Sequence, residues 1–360
     1  DQCHKLLSQL LEKRSYKRLS WDELFENEYI KDDTDDTDIN GYADETFFKV
    51  DGKEILSRQG IPVVIKGLGL GGWFMPEGYM FRMPGGYGPT VIREKITELL
   101  GASLADQWFE LFRDNYVKED DIIAMKEWGV DHIRIPFHYD IFYDKNSETF
   151  IEKGFERIDQ VLIWCKRHRM DVILDMHAAP GAQNSSDFSD SELNGEAELF
   201  TEINNQLWLA STWRYIAEYY SNEPVIGGYD LLNEPARWGI SDILRSIYER
   251  TIDSIRTVDE NHIVIIEGNW YGNDHTGLFP PFDDNMIYSF HHYVGGSTDT
   301  TTMYRQYRTD ISVEYDVPLW VGEFGENSNY WGHNIKNFFE RNDIGWSWWN
   351  FKSVERISSL

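Results

Sequence analysis

The chain lacks the features that define several large classes of protein. Only two cysteines, Cys3 and Cys165, occur in 360 residues. That is too few for a disulfide framework, and their settings, a ragged N-terminal stretch and a helix-like one, argue against a mutual bond. No run of 18 apolar residues is present, so no segment is suited to cross a membrane as a helix. Basic residues are scarce: 34 Lys and Arg stand against 62 Asp and Glu, a formal charge of −28. Such a chain repels phosphate backbones and anionic lipid, which argues against nucleic acid and membranes as partners and leaves a neutral polymer admissible. There is no HExxH pair, and His177, His291 and His292 lack the carboxylate spacing of a metal centre, so neither metal nor other cofactor is expected. A Schiff-base enzyme would want a strand-end Lys, and the one candidate, Lys66, reads as a structural rim residue.

Aromatics, by contrast, are abundant at 15% of residues, with 14 Trp, 20 Tyr and 20 Phe. Some must be core; the excess also suits a ligand with flat CH-rich faces, as pyranose rings have. Residues 1–45 form an acidic N-terminal extension or linker. Leu6, Leu7, Leu10 and Leu11 are spaced helically, and an acidic tract covers 31–45. Within it Asp36, Asp38, Asn40 and Gly41 copy the opening of a calcium loop, but Phe47 stands where the twelfth-position Glu belongs, which favours a solvated linker.

From residue 46 to 360 the pattern becomes that of one domain. FFKVDGKEILSRQG reads as a β-hairpin turning at Asp51-Gly52. Strand candidates follow at 62–67, 131–136, 171–176, 227–232, 262–267, 286–291, 318–322 and 344–350, separated by helical patterns. One such helix carries Phe155, Ile158, Val161, Leu162 and Cys165 on a single stripe. Eight strands with helical crossovers point to an α/β fold, a (β/α)8 TIM barrel, with an open doubly wound sheet as the alternative. Both folds bind ligands at the C-terminal ends of their strands.

Those ends carry polar residues. Strand 2 holds Arg134, strand 3 reaches His177, strand 4 delivers Asn233 and Glu234, strand 6 carries His291 and Tyr293, strand 7 ends in Glu323, and strand 8 contributes Trp349. Each alone has a bland explanation as a cap, a satisfied polar partner or core. Together they would converge in a barrel, and burying them without purpose would cost several kcal/mol each unless all were paired. Two carboxylates on near-opposite strands are what glycoside hydrolysis uses, one as proton donor and one as nucleophile. Arg134 and Tyr293 would hold Glu323 ionised, while that anion and a partly dry pocket would keep Glu234 protonated.

The motifs LLNEP (231–235), VGEFG (321–325), RIP (134–136), the His-x-Tyr of 291–293 and Trp349 resemble glycoside hydrolase family 5, over about residues 46–352. The resemblance implies a retaining (β/α)8 enzyme acting on a β-glucan, through Glu234 as acid/base and Glu323 as nucleophile. It also implies that Arg134 and Tyr293 orient the nucleophile and that His291 lies beside the acid/base. Asn233 and His177 would bind sugar hydroxyls, with Trp349 as the floor beneath the sugar. GLGLGGWFMPEGY (67–79) and HAAPGAQN (177–184) further resemble the exo-β-1,3-glucanase branch, in which Glu77, Tyr79 and Asp187 would bind the non-reducing end. Gly69 stands where that branch has Asn. Alternatives within the family are endo-β-1,4-glucanase and β-mannanase. A non-catalytic carbohydrate-binding barrel would need one of the two glutamates replaced. A monomer is expected, secreted or extracellular rather than cytoplasmic.

Overall fold

The computed structural model describes residues 46–83, 85, 87–191, 195–293 and 311–352. The expectations for residues 1–45, including the Asp36–Gly41 motif, lie outside them. Eight parallel strands form a closed barrel: β1 (Lys66–Gly69), β2 (His132–His138), β3 (Asp171–Ala178), β4 (Ile226–Asp230), β5 (Ile263–Glu267), β6 (Met286–His292), β7 (Leu319–Gly325) and β8 (Gly345–Trp349). Each pairs with the next, and β8 returns to β1 through Trp346↔Lys66, Ser347↔Gly67 and Trp348↔Leu68. That closure excludes the doubly wound alternative. The strands are near-continuous apolar runs because helices cover one face and the barrel interior the other; every residue of IVIIE in β5 is buried.

The helices obey the same logic. After β1 come α1 (Pro89–Leu100), α2 (Ala102–Tyr116) and α3 (Glu119–Glu127). After β2, β3 and β4 come α4 (Lys153–His168), α5 (Ile203–Tyr220) and α6 (Ser241–Arg256), and after β7 comes α7 (Asn329–Glu340). In α4 the expected stripe of Phe155, Ile158, Val161, Leu162 and Cys165 is buried. Lys166, Arg167 and His168 occupy its last turn, where cations suit the helix dipole, and Arg169 ends it in a left-handed conformation at φ 53°. Truncating the fully buried Phe155 to Ala would cost about 3–5 kcal/mol.

Two sequence expectations shift. The hairpin pairs Lys49–Asp51 with Glu54–Leu56, so its turn residues are Gly52 and Lys53, one position later than expected, with Gly52 taking the positive φ of 55°. The first barrel strand begins at Lys66 rather than residue 62. Pro62 instead bridges Leu56, and the Val63 N–H donates to the Ile55 carbonyl at 2.8 Å, so this stretch completes the hairpin. Val50, Val63 and Ile65 pack on a core of Phe48, Ile55, Ile173, Ile263, Ile265, Ile287 and Trp320. Apolar side chains thus pack at the N-terminal end of the barrel, opposite the strand ends that carry the candidate site residues.

Candidate active site

The strand ends meet as the sequence suggests. Arg134 projects from β2 into the barrel and is fully buried. Its Nη1 donates to Glu323 Oε1 at 2.5 Å, Nε to Asp230 at 2.9 Å and Nη2 to the Asn233 side-chain oxygen at 2.9 Å. Asp175 lies 3.1 Å from the same guanidinium. Burial opposes a charge on Arg134, but the surrounding carboxylates outweigh it and keep the group a cation. Burial pushes Asp175 and Asp230 well above the usual carboxylate range.

Glu323 lies within β7, whose observed end at Gly325 extends past the expected residue 322. Burial alone would raise its proton affinity, but the His291 and Arg134 charges win and hold it below the ordinary value. Its second oxygen accepts from the Tyr293 hydroxyl at 2.8 Å. Glu234 behaves oppositely. Burial raises it, and the Glu323 and Glu267 anions add to that against the pull of His291. It sits just beyond β4 with a left-handed backbone, φ 47°. His291 Nδ1 meets Glu234 Oε1 at 2.7 Å, and facing anions hold its proton affinity well up despite burial. One oxygen of Glu234, one of Glu323 and a His291 ring nitrogen all lie within 4.8 Å of one another. A cation could fit that spacing, but His291 prefers a proton on its ring nitrogen, which points to proton chemistry.

The other expected residues surround this pair. His177, held neutral by burial with a pKa lowered to about 3, shares a 2.7 Å hydrogen bond with Asp175. Its ring stacks on Trp349 at 5.2 Å and 5°. Trp349 Nε1 donates to the Tyr79 hydroxyl at 2.8 Å. A Cβ at Gly69 would come within 2.6 Å of the indole, and one at Gly71 within 2.9 Å. The missing Cβ at Gly69 thus leaves room for the Trp349 indole. Gly322 plays the same part for His291, whose ring would lie 2.9 Å from an added Cβ. Glu77 is buried with Oε1 lacking a hydrogen-bond partner, and burial pushes its carboxyl well up.

A cavity of about 840 Å³ collects Glu77, Tyr79, His177, Glu234, His291, Tyr293, Glu323 and Trp349 on its walls, a volume suited to a small ligand or a sugar chain's end. Asn233 lies behind that wall, buried, with its side chain 3.4 Å from His177 Nε2. Asp187 does not line the cavity. It is half-buried in the turn Asp187–Ser189, and the wall there is made by Ser186 and Phe188. Tyr271, Asn273, Glu326 and Asn327 also line it and carry no sequence signature. The sequence reading gave no role to Glu267, although it ends β5 as Glu323 ends its own apolar run; no motif surrounds it.

Comparison with known proteins agrees with this geometry. The cellulase profile, glycosyl hydrolase family 5, matches residues 93–355. A beta-xylosidase of Phanerodontia chrysosporium is 30% identical over 69% of this chain and 52% of its own length. Endoglucanase C of Acetivibrio thermocellus is 34% identical over 50% of this chain and 51% of its own. The chain spans about half the length of these curated relatives. Among solved structures, endogalactoceramidase superposes with a TM-score of 0.63 at 19% identity, covering 86% of this chain and 75% of that one, a likeness of fold.

Proposed function

From the premise that the chain belongs to the cellulase family, glycosyl hydrolase family 5, we propose that it hydrolyses β-linked glucan with retention of anomeric configuration. The observation that carries this reading is the spacing of the two carboxyl groups, with oxygens within 4.8 Å. A retaining glycosidase needs about 5–5.5 Å between them, whereas an inverting one needs about 6.5–9.5 Å to admit a water. Their opposite protonation biases supply the second requirement, one carboxylic acid beside one carboxylate.

In this reading Glu323 attacks the anomeric carbon while Glu234 gives its proton to the leaving glycosidic oxygen. The covalent glycosyl-enzyme then releases its sugar when Glu234, now ionised, takes a proton from an incoming water. Loss of the Glu323 charge on glycosylation lowers the proton affinity of Glu234 at the point where a base is required. Arg134 and Tyr293 keep Glu323 aligned and ionised in the free enzyme. Trp349 offers an apolar face to the sugar and His177 a polar group to its hydroxyls, with Asn233 supporting His177 from behind the wall. Glu77, a neutral acid with an unpartnered oxygen, suits a further hydroxyl at one end of the cavity. A glucan polymer is too large to enter a cell, which supports action outside it.

The glucan assignment draws on the likeness to an endoglucanase. Products from laminarin, barley β-glucan, cellulose, mannan and xylan test it. Glucose or gluco-oligosaccharides are expected, with the β-anomer first by NMR. Glucose alone from laminarin identifies exo action and an oligosaccharide ladder endo action. Xylose or mannose release without glucan hydrolysis would overturn the substrate class, and the α-anomer first would overturn retention.

A further inference from the structure

Glu267, the last residue of β5, has no solvent exposure. Its Oε2 accepts the Glu234 backbone N–H at 2.8 Å. Its Oε1 lies 3.0 Å from His291 Nε2, an ion-pair contact outside good hydrogen-bond alignment, and 3.4 Å from an Arg134 nitrogen. The Glu267 backbone is itself clamped from α6, because the Tyr248 hydroxyl donates to its carbonyl at 2.9 Å and accepts its N–H at 3.2 Å. A counter-ion for Arg134 alone would be the plainer role. That guanidinium, however, has Glu323, Asp230 and Asp175 nearer, at 2.5, 2.9 and 3.1 Å. Its contact with Glu267 is the longest of the four carboxylate contacts.

Glu234, on the other hand, needs an anchor. At φ 47° its backbone is in a region that costs a residue with a Cβ about 1–2 kcal/mol, so its peptide must be held from outside. A charge-assisted bond from a fixed carboxylate does that. We infer that Glu267 is a positioning residue for the reaction: it pins the Glu234 peptide with one oxygen and, with the other, holds the His291 ring that contacts the Glu234 carboxyl. The inference rests on the reading of Glu234 as acid/base.

The negative charge of Glu267 has a separate consequence. His291 faces Glu234, Glu267 and Glu323, with Arg134, Asp175 and Asp230 across the barrel on β2, β3 and β4. The field of Glu267 also reaches His275, the buried histidine that follows β5. Removing one anion from contact with His291 makes its proton leave at lower pH. The alkaline limb of kcat/KM, where the His291–Glu234 pair loses its proton, should move with it.

The test compares Glu267→Gln and Glu267→Asp with the wild type on an unactivated glucan oligosaccharide across pH. Glu267→Gln should shift the alkaline limb down by about one to two pH units and lower kcat roughly 10- to 100-fold with little change in KM. Glu267→Asp keeps the charge and shortens the reach, so its limb should stay in place while kcat falls at least 10-fold. A folded Glu267→Gln with the wild-type limb and kcat overturns the inference, as does one that only melts earlier. If Glu267→Gln does not fold, Glu267→Asp decides: reduced kcat supports the positioning role and wild-type kcat refutes it. Glu234→Ala, run alongside on activated and unactivated substrates, separates the two levels. Equal losses on both refute the acid/base reading itself, whatever Glu267 does.

Discussion

Removing the Glu234 carboxyl while leaving its backbone in place should affect the two half-reactions differently. General acid assistance contributes roughly 10²–10⁴-fold, or about 2.7–5.5 kcal/mol of barrier, and only where the departing oxygen needs a proton. For a glucan oligosaccharide the leaving group is an alkoxide, so Glu234→Ala should lose that whole factor in kcat/KM. A dinitrophenyl glucoside departs unassisted, and its kcat/KM should stay within about tenfold of wild type. The second half-reaction has lost its base for both, so the glycosyl-enzyme accumulates on the aryl substrate and lowers kcat and KM together. The truncation also removes a carboxyl whose oxygen lies within 4.8 Å of Glu323, opening a place for azide, which needs no base. Azide should restore kcat on the aryl glucoside and yield the β-glycosyl azide. Because the raised proton affinity of Glu234 sets the alkaline limb together with His291, that limb should disappear from the variant's profile on the aryl substrate. Equal losses on both substrates, or no azide adduct, would refute the reasoning.

Further outcomes follow from other parts of the structure. Arg134→Ala leaves the Glu323 carboxylate without its buried counter-ion and Asp230 and Asp175 without their donor, so urea unfolding should show a loss of about 3–5 kcal/mol; unchanged stability would contradict the charge account. His138, whose proton is stabilised by Asp140 and Asp190 against burial, has a pKa pushed up to about 10 from 6.5. Its contribution to stability is therefore complete below pH 6.5 and lost as pH rises through 10, and a His138→Gln variant should not lose that increment in melting curves across this range. The buried free thiol of Cys165, raised further by burial, should resist alkylation in the native protein and react on unfolding. Its ready labelling without denaturant would contradict the packing of α4.

Much of this site is legible in the sequence because a parallel barrel maps strand order onto position. Once the apolar runs are identified, Arg134, Glu234, His291 and Glu323 fall at ends that must converge. The missing parts have physical reasons. The turn at Gly52-Lys53 and the start of β1 depended on how residues 62–65 pack under the barrel, which local apolar character does not encode. Asp187 was placed in the binding site by likeness, but the turn around it presents Ser186 and Phe188 to the cavity. Glu267 carried the same signal as Glu323, a carboxylate closing an apolar strand, without the flanking motif that drew attention to the other. Tyr271 lines the cavity from a left-handed backbone at φ 60°, which neither its residue type nor its neighbours signal.

The central claim is that Glu323 forms a covalent bond to the sugar. A 2-deoxy-2-fluoro glucoside with a dinitrophenyl leaving group tests it most directly, because the fluorine slows both steps while the activated leaving group keeps the first fast enough to trap the intermediate. Mass spectrometry of the intact protein should show one fluoroglucosyl unit per chain, and peptide mapping should place it on Glu323. A label on Glu234, or an enzyme that hydrolyses ordinary glucan but takes up no label from the fluoroglucoside, would contradict the account.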